Sequence, residues 1–320
     1  MNTGWSELSR EEYLHPGHVA CQGCGAALAM RLVLKATGDR VMVVLPAACW
    51  TIIDGSFPTH ALRVPLLHTA FETAAAAATG LRAGLDAVGA PPTTVMAWAG
   101  DGGTFDIGFQ AISSAAERDE DMIYVCYDNE AYMNTGIQRS SATPWGAWTA
   151  TTPAARPQDR PKKDIVGILA AHRIPYAATT TVAHPDDLVR KVTRALGVRG
   201  FRFLHLLAPC PPGWKVDSSL VIKAARLAVA SGVFPLYEVE DGVRLTLNMS
   251  APTVPVAEYL SLQGRFAHLT EEQAAHIQSM VDARWVDLED WHLRTHGGPP
   301  IGIPSALDGH GRPGDVVPHG

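Results

Sequence analysis

Residues 100–134 read GDGGTFDIGFQAISSAAERDEDMIYVCYDNEAYMN, and their pattern decides the fold. The apolar run Val95–Ala99 enters Gly100-Asp101-Gly102 as a buried strand enters a turn. Phe109 to Glu117 has helical periodicity, with Phe109, Ile112 and Ala116 on one face. Met122 to Tyr127 is the next strand, and it ends at Asp128-Asn129. The unit is strand, Gly-rich turn, helix, strand. Asp101 and Asn129 therefore stand at the carboxyl ends of two strands, the edge at which open α/β sheets bind ligands.

These residue types suit a hard cation carrying a phosphate. Asp101 offers a carboxylate and Asn129 an amide oxygen, and Mg²⁺ takes one or two such protein ligands beside phosphate oxygens. Gly100, Gly102 and Gly103 allow close approach of the backbone to a diphosphate. The helix that follows presents free N–H groups to the same anion. A plain Asp-Gly turn and a plain Asn turn would look the same in isolation.

Upstream lies His15-Pro16-Gly17-His18-Val19-Ala20-Cys21-Gln22-Gly23-Cys24-Gly25, in which Gly23 and Gly25 let two thiols point at one centre. A helix is expected over Ala26–Ala36 and a strand over Val41–Leu45, leading to Cys49. Thr69 to Val88 is Ala-rich and reads as a helix interrupted near Gly80. Downstream, 140–163 is a long Thr/Pro-rich loop, of the kind that is functional or wraps a partner. Helices are expected over 164–172, 185–196, 218–231 and 270–293, and strands over 176–182 and 201–207. Strand–helix alternation argues an α/β fold, a parallel sheet with helices on both faces. Residues 232–292 continue with a short strand pair before that last helix, and 295–320 reads as an extended tail behind a single domain at 1–294.

Composition narrows the function classes. The formal charge of −6 gives no support for nucleic-acid or membrane binding. No apolar run reaches the ~18 residues of a spanning helix, and Met1–Glu12 lacks a signal-peptide core, so a cytoplasmic protein is expected. Charged residues at 18% are few for a fully solvated surface, which points to buried subunit contacts. Five cysteines in such a chain argue metal or catalysis rather than disulfides. Cys126 lies inside a strand and reads as core. Cys21, Cys24, Cys49 and Cys210 lie in Gly- or Pro-flanked turns. Their spacing leaves an iron–sulfur cluster, zinc and unrelated thiols open.

Gly100-Asp101-Gly102 followed 27 residues later by Asn129 is the thiamine diphosphate motif. The sequence around it, Asp128 to Gly136, resembles the β subunits of the 2-oxoacid:ferredoxin oxidoreductase family, those of pyruvate:ferredoxin oxidoreductase (pyruvate synthase) above all. Cys21-Gln22-Gly23-Cys24-Gly25, Ala48-Cys49-Trp50 and Pro209-Cys210-Pro211 match that family's cluster-binding segments. The resemblance runs from His15 to about Gly242, more loosely to Leu293, and does not reach the Pro/Gly/His tail. It implies a thiamine-diphosphate-binding domain of the type that holds the diphosphate. Mg²⁺ would be held by Asp101, Asn129 and the main-chain carbonyl of Ala131, with Gly100, Gly102 and Gly103 along the diphosphate. Asn134 would be the catalytic residue near the thiazolium and the substrate. Cys21, Cys24, Cys49 and Cys210 would hold a [4Fe–4S] cluster. The implied reaction is oxidative decarboxylation of a 2-oxo acid, pyruvate before branched-chain or aryl ones, with coenzyme A and ferredoxin.

The glutamate that activates the cofactor would then sit on an α subunit with the pyrimidine-binding domain. γ-like and ferredoxin-like δ subunits would complete the complex. The competing classes are a non-redox thiamine decarboxylase with structural zinc and a non-catalytic subunit that kept the fold. His18, His60 and His68 are given no role.

Overall fold

In the computed structural model, which describes residues 4–296, eight strands form one sheet. They are β1 (Val41–Pro46), β2 (Leu66–Thr69), β3 (Thr94–Gly100), β4 (Met122–Asp128), β5 (Tyr176–Thr181), β6 (Phe201–Leu207), β7 (Tyr237–Glu240) and β8 (Arg244–Leu247). Their order is β2-β1-β3-β4-β6-β5-β7-β8. The first six are parallel, while β7 and β8 add antiparallel at one edge. The runs VMVVLP, TVMAWAG, MIYVCYD and FRFLHLL explain why the centre is parallel. They are apolar almost throughout, as strands covered on both faces must be.

The covering helices are α1 (Gly25–Thr37), α2 (Cys49–Asp54), α3 (Ala74–Ala87), α4 (Phe109–Glu117), α5 (Ile165–Ala170), α6 (Pro185–Leu196), α7 (Pro211–Trp214), α8 (Val221–Ala230), α9 (Val256–Ser261) and α10 (Glu271–His296). Two apolar cores result. α1, α2 and α6 bury Met30, Val33, Trp50 and Leu188 against Trp98, Val125 and Leu204 of one sheet face. α3, α4, α5 and α8 to α10 bury Ala78, Ile112, Leu169 and Trp285 against Tyr124, Cys126 and Phe203 of the other.

Several expected boundaries shift. The helix expected over Thr69–Val88 is two elements: β2 ends at Thr69 and α3 starts at Ala74. α3 is not interrupted near Gly80, where a Cβ would meet nothing within 4 Å. Glycine there loses about 1 kcal/mol of helix propensity without any packing reason to break. The helix expected over 218–231 begins as a 3₁₀ turn at Ser218–Leu220. α10 runs to His296, so the tail expected at 295–320 lies, beyond that residue, outside the described residues. Asp164 caps α5 as expected, its carboxylate accepting from the Gly167 N–H at 3.1 Å. Stretch 140–163 has no helix or strand, yet Ser140, Thr143, Ala147 and Gln158 are buried, because it packs over the carboxyl edge of the sheet. Among the described residues no helix is long and apolar enough to cross a membrane.

Candidate functional site

Topology gathers the site. β1, β3, β4 and β6 are consecutive neighbours in the sheet and share one direction. Their carboxyl ends deliver Cys49, Asp101, Asn129 and Cys210 respectively. α1 starts at the same edge, where the Gly25 N–H donates to the Pro209 carbonyl at 3.1 Å. A Cβ at Gly25 would lie 2.9 Å from Pro209 backbone atoms, so only glycine lets the Cys21–Cys24 turn lie against the Cys210 segment.

Asp101, Asn129 and Ala131 meet in one place. The Asn129 side-chain oxygen faces the Ala131 carbonyl and Asp101 Oδ1, each at 2.9 Å. Three oxygens with no proton between them repel. Turning the amide over would put its NH₂ between the two acceptors and close the site without a ligand. With the amide oxygen turned inward, a cation among the three would satisfy them. Cis ligands of an octahedral Mg²⁺, each 2.0–2.1 Å from the ion, stand roughly 2.9 Å apart. The donor set and spacing therefore fit this ion. Asp101 is fully buried, and burial, followed by the nearby Asp128 carboxylate, pushes its carboxyl well above the usual range. The Ser140 hydroxyl donates to Asp101 Oδ2 at 2.5 Å and offsets only part of this. A divalent cation held there would supply the missing compensation.

After Asp101 the chain does not enter an α-helix at once. Gly102–Ile107 is a π-helical turn, in which the Gly108 N–H donates to the Gly103 carbonyl at 2.9 Å. The glycines here are needed partly for packing. A Cβ at Gly102 would sit 2.2 Å from the Tyr132 ring, and one at Gly103 would be 3.3 Å from Phe71. Above them lies a cleft of about 280 Å³ whose walls include Gly100, Asp101, Asn129, Asn134 and Cys49. Asn134 is exposed at its rim.

A buried ion network supports the Asp128–Ala131 loop. The Lys162 ammonium lies 2.5 Å from Asp128 Oδ2 and 2.8 Å from Glu130 Oε1. Arg265 donates to Glu130 Oε2 at 2.6 Å, and its guanidinium stacks over Trp214 at 4.0 Å. Trp214 Nε1 in turn donates to the Asn129 carbonyl at 2.9 Å. Burial alone would raise the Asp128 carboxyl, but Lys162 and His205 hold it down at about 2. Glu130 has φ +68°, a left-handed backbone that a side chain rarely adopts, and these contacts keep it there. Sequence reasoning missed Lys162, Arg265, His205 and Ser140. A lysine in a Pro-rich loop and an arginine in a polar stretch carry no local mark of burial.

This network yields a first expectation. Lys162→Met leaves two buried carboxylates short of a counter-charge and should cost about 3–5 kcal/mol in urea unfolding. Lys163→Met, at a half-exposed site with Asp106 at 4.0 Å, should cost less than about 1 kcal/mol. Equal losses would show that the network does not hold the loop.

The four candidate ligand cysteines share a neighbourhood at this edge, and Cys126 does not. Cys126 is wholly buried in β4, on the opposite sheet face. Cys49 is not in a turn, as expected, but is the first residue of α2. Cys24 and Cys210 are the residues that cap α1 and α7. Backbone N–H groups face three of the sulfurs: Ala26 and Ala27 toward Cys24, Gly213 toward Cys210, and Asn134 toward Cys49. Burial pushes the Cys49 and Cys210 thiols up to about 12, and neighbouring cysteines add to it. Such thiols keep their protons at neutral pH unless a metal replaces them. Among the described residues no three His, Cys, Asp or Glu groups stand ready to share one ion. His18 and His60 line a separate cleft beside Asp54, and His68 Nε2 lies 3.1 Å from Asp54 Oδ2.

The sheet, the oxygen cage and the glycine turn define a thiamine-diphosphate-binding protein, and residues 47–206 match the family model for the thiamine pyrophosphate enzyme C-terminal TPP-binding domain. The chain is 49% identical over 292 residues to ketoisovalerate oxidoreductase subunit VorB of Pyrococcus furiosus, covering 88% of this chain and 92% of that one. It is 46% identical over 288 residues to pyruvate synthase subunit PorB of Methanocaldococcus jannaschii, covering 87% and 97%. It therefore belongs to the 2-oxoacid:ferredoxin oxidoreductase family, whose matched members are named as subunits. A solved 2-oxoglutarate:ferredoxin oxidoreductase from Magnetococcus marinus shares the fold, with a TM-score of 0.55 at 19% identity over 70% of this chain and 83% of that one.

Proposed function

We propose that this chain is the β subunit of an oxidoreductase that decarboxylates pyruvate, passing the acyl group to coenzyme A and electrons through a [4Fe–4S] cluster to ferredoxin. The observation that carries this reading is the meeting of Asp101, the Asn129 side chain and the Ala131 carbonyl at 2.9 Å, set in the same cleft as Cys49. Asp101, Asn129 and the Ala131 carbonyl would hold Mg²⁺, and Gly100, Gly102 and Gly103 would border the diphosphate. Bound thiamine diphosphate supplies the centre that stabilises charge as the carboxylate leaves. Asn134, at the cleft rim, would position the substrate by hydrogen bonding. Cys21, Cys24, Cys49 and Cys210 would hold the cluster. The Asn134 N–H faces the Cys49 sulfur, so the substrate-facing loop and the cysteines are in direct contact.

The other half of the cofactor site would come from an α subunit, with γ-like and ferredoxin-like δ subunits beside it, in the cytoplasm. Supporting this are low charge and exposed apolar side chains: Ile52, in the cleft wall, is 54% exposed, and Phe57 is 86% exposed. Such exposure in one chain usually marks an interface. A second reading, a branched-chain 2-oxo acid as substrate, is favoured by the 49% identity to the VorB subunit.

Viologen reduction dependent on coenzyme A, measured across a panel of 2-oxo acids, decides between them. The purified complex should show a higher kcat/KM with pyruvate than with 2-oxoisovalerate, and the chain alone should show no turnover. The reverse preference moves the assignment to the second reading. Full turnover by the chain alone would remove the need for a partner.

A further inference from the structure

Tyr127 has a hydroxyl whose proton finds no acceptor, although the Trp50 backbone N–H faces its oxygen. It lies on β4 opposite Gly100 of β3, is 1% exposed, and its O–H makes no hydrogen bond. Buried phenols in proteins almost always find a partner, so an orphan at the edge of a site calls for one that binding supplies. The ring cannot turn away to seek it elsewhere. It stacks on Trp98 at 5.8 Å and 21°, and Trp98 meets Trp50 edge-on at 6.1 Å and 83°.

The position of the hydroxyl narrows the choice. A Cβ at Gly100 would come within 3.3 Å of it, so the glycine leaves that end of the phenol open. Tyr127, Cys49 and Asp101 line the same cleft. Among ionisable groups Cys49 acts on this phenol most strongly, ahead of Asp101 and Cys24. Asp101 already accepts the Ser140 hydroxyl. The Cys49 sulfur has the Asn134 backbone N–H facing it.

We propose that Tyr127 is a tuning residue: its hydroxyl donates a hydrogen bond to the Cys49 sulfur when that sulfur is a cluster-bound thiolate. This rests on the cluster reading above. A protonated thiol is a weak acceptor, whereas a thiolate attracts an O–H strongly. The bond is therefore favoured when iron replaces the proton on Cys49. A hydrogen bond to a ligand sulfur stabilises the more negative, reduced cluster and so raises its reduction potential. Tyr127 would thus favour entry of electrons into this cluster.

Tyr127→Phe removes the hydroxyl and keeps the stack on Trp98. It is compared with the wild-type complex, purified with its partner subunits. Three measurements are made: iron and acid-labile sulfide, an EPR-monitored redox titration, and thiamine diphosphate affinity by calorimetry. The signal of this chain is the one lost in Cys49→Ser. Iron and cofactor affinity should stay within twofold of wild type. The potential should move negative, by ~59 mV if the bond favours the reduced form tenfold in this one-electron couple. An unchanged potential at full iron overturns the inference while the cluster reading stands. A fixed potential with weakened thiamine diphosphate binding also overturns it, and assigns the hydroxyl to the cofactor. Wild-type complex without a signal from this chain overturns the cluster reading, and this inference with it.

Discussion

Asp101→Ala is expected to weaken thiamine diphosphate binding by roughly 100-fold or more. Loss of a group that merely orients a metal ligand costs about 10–100-fold in metal affinity, and Asp101 is placed as a ligand itself. It is also the one charged member of the oxygen cage. Calorimetric titration of the complex with thiamine diphosphate at saturating Mg²⁺ measures this, and wild-type affinity in the mutant would remove Asp101 from the site. Asp101→Asn gives an independent readout through stability. In the cofactor-free protein the Asp101 carboxyl is held well above its usual range by burial and by Asp128. A raised carboxyl pKa means that stability is fully present below the unfolded value, near 3.9, and is lost as pH rises through the folded one. At neutral pH, above the unfolded value, the wild-type site is therefore destabilised by this ionisable carboxyl, and Asp101→Asn should raise the melting temperature without cofactor. With cofactor the order should invert. A ligand at 100 times its Kd stabilises by about 2.7 kcal/mol, and the mutant would gain little of that. Mutant and wild type melting in the same order with and without cofactor would show that no cation compensates Asp101.

The parts of this site that follow strand ends could be read from sequence, because a strand's direction fixes where its next residue stands. Apolar runs at Val95–Ala99 and Met122–Tyr127 placed Asp101 and Asn129 on one edge, and the sheet brings them within contact. Pro209-Cys210-Pro211 behind a strand at 201–207 placed Cys210 in the same way. What could not be read depends on side chains arriving from afar. Lys162 reaches Asp128 across 34 positions, and Arg265 reaches Glu130 across 135, with no periodicity to announce either. Gly102 was read as room for a diphosphate, yet the ring of Tyr132 fills that side of it. Cys49 was read as a turn residue because Pro46 precedes it. Ala48 takes up the extended backbone instead, and Thr51 turns its hydroxyl back to the Ala48 N–H, so the helix starts at once. The antiparallel edge of β7 and β8 was visible as a short strand pair, but its place beside β5 was not.

Cys49→Ser is expected to lose the iron of this chain, and Cys126→Ser to keep it. Both are cysteines with raised thiol pKa, and burial is the first cause in each. Their surroundings differ in what could replace the proton. Cys49 lies in the wall of a cleft, with Cys24 and Cys21 acting on it and the Asn134 N–H facing its sulfur. Cys126 is 0% exposed, enclosed by the α3 to α5 core, with a polar contact to Thr104. A serine at 49 offers a hard oxygen where iron prefers a soft thiolate. A serine at 126 exchanges one small buried group for another whose hydroxyl can also bond Thr104. Iron and acid-labile sulfide per chain, with the visible absorption band, read both outcomes in complexes purified without oxygen. The visible band should fall by the share of one cluster in Cys49→Ser and stay unchanged in Cys126→Ser. Zinc in place of iron in the wild type would favour a non-redox thiamine decarboxylase. Iron retained in Cys49→Ser, or lost in Cys126→Ser, would mean that the sheet edge does not gather the cluster's ligands. The contact between Asn134 and Cys49 would then be packing alone.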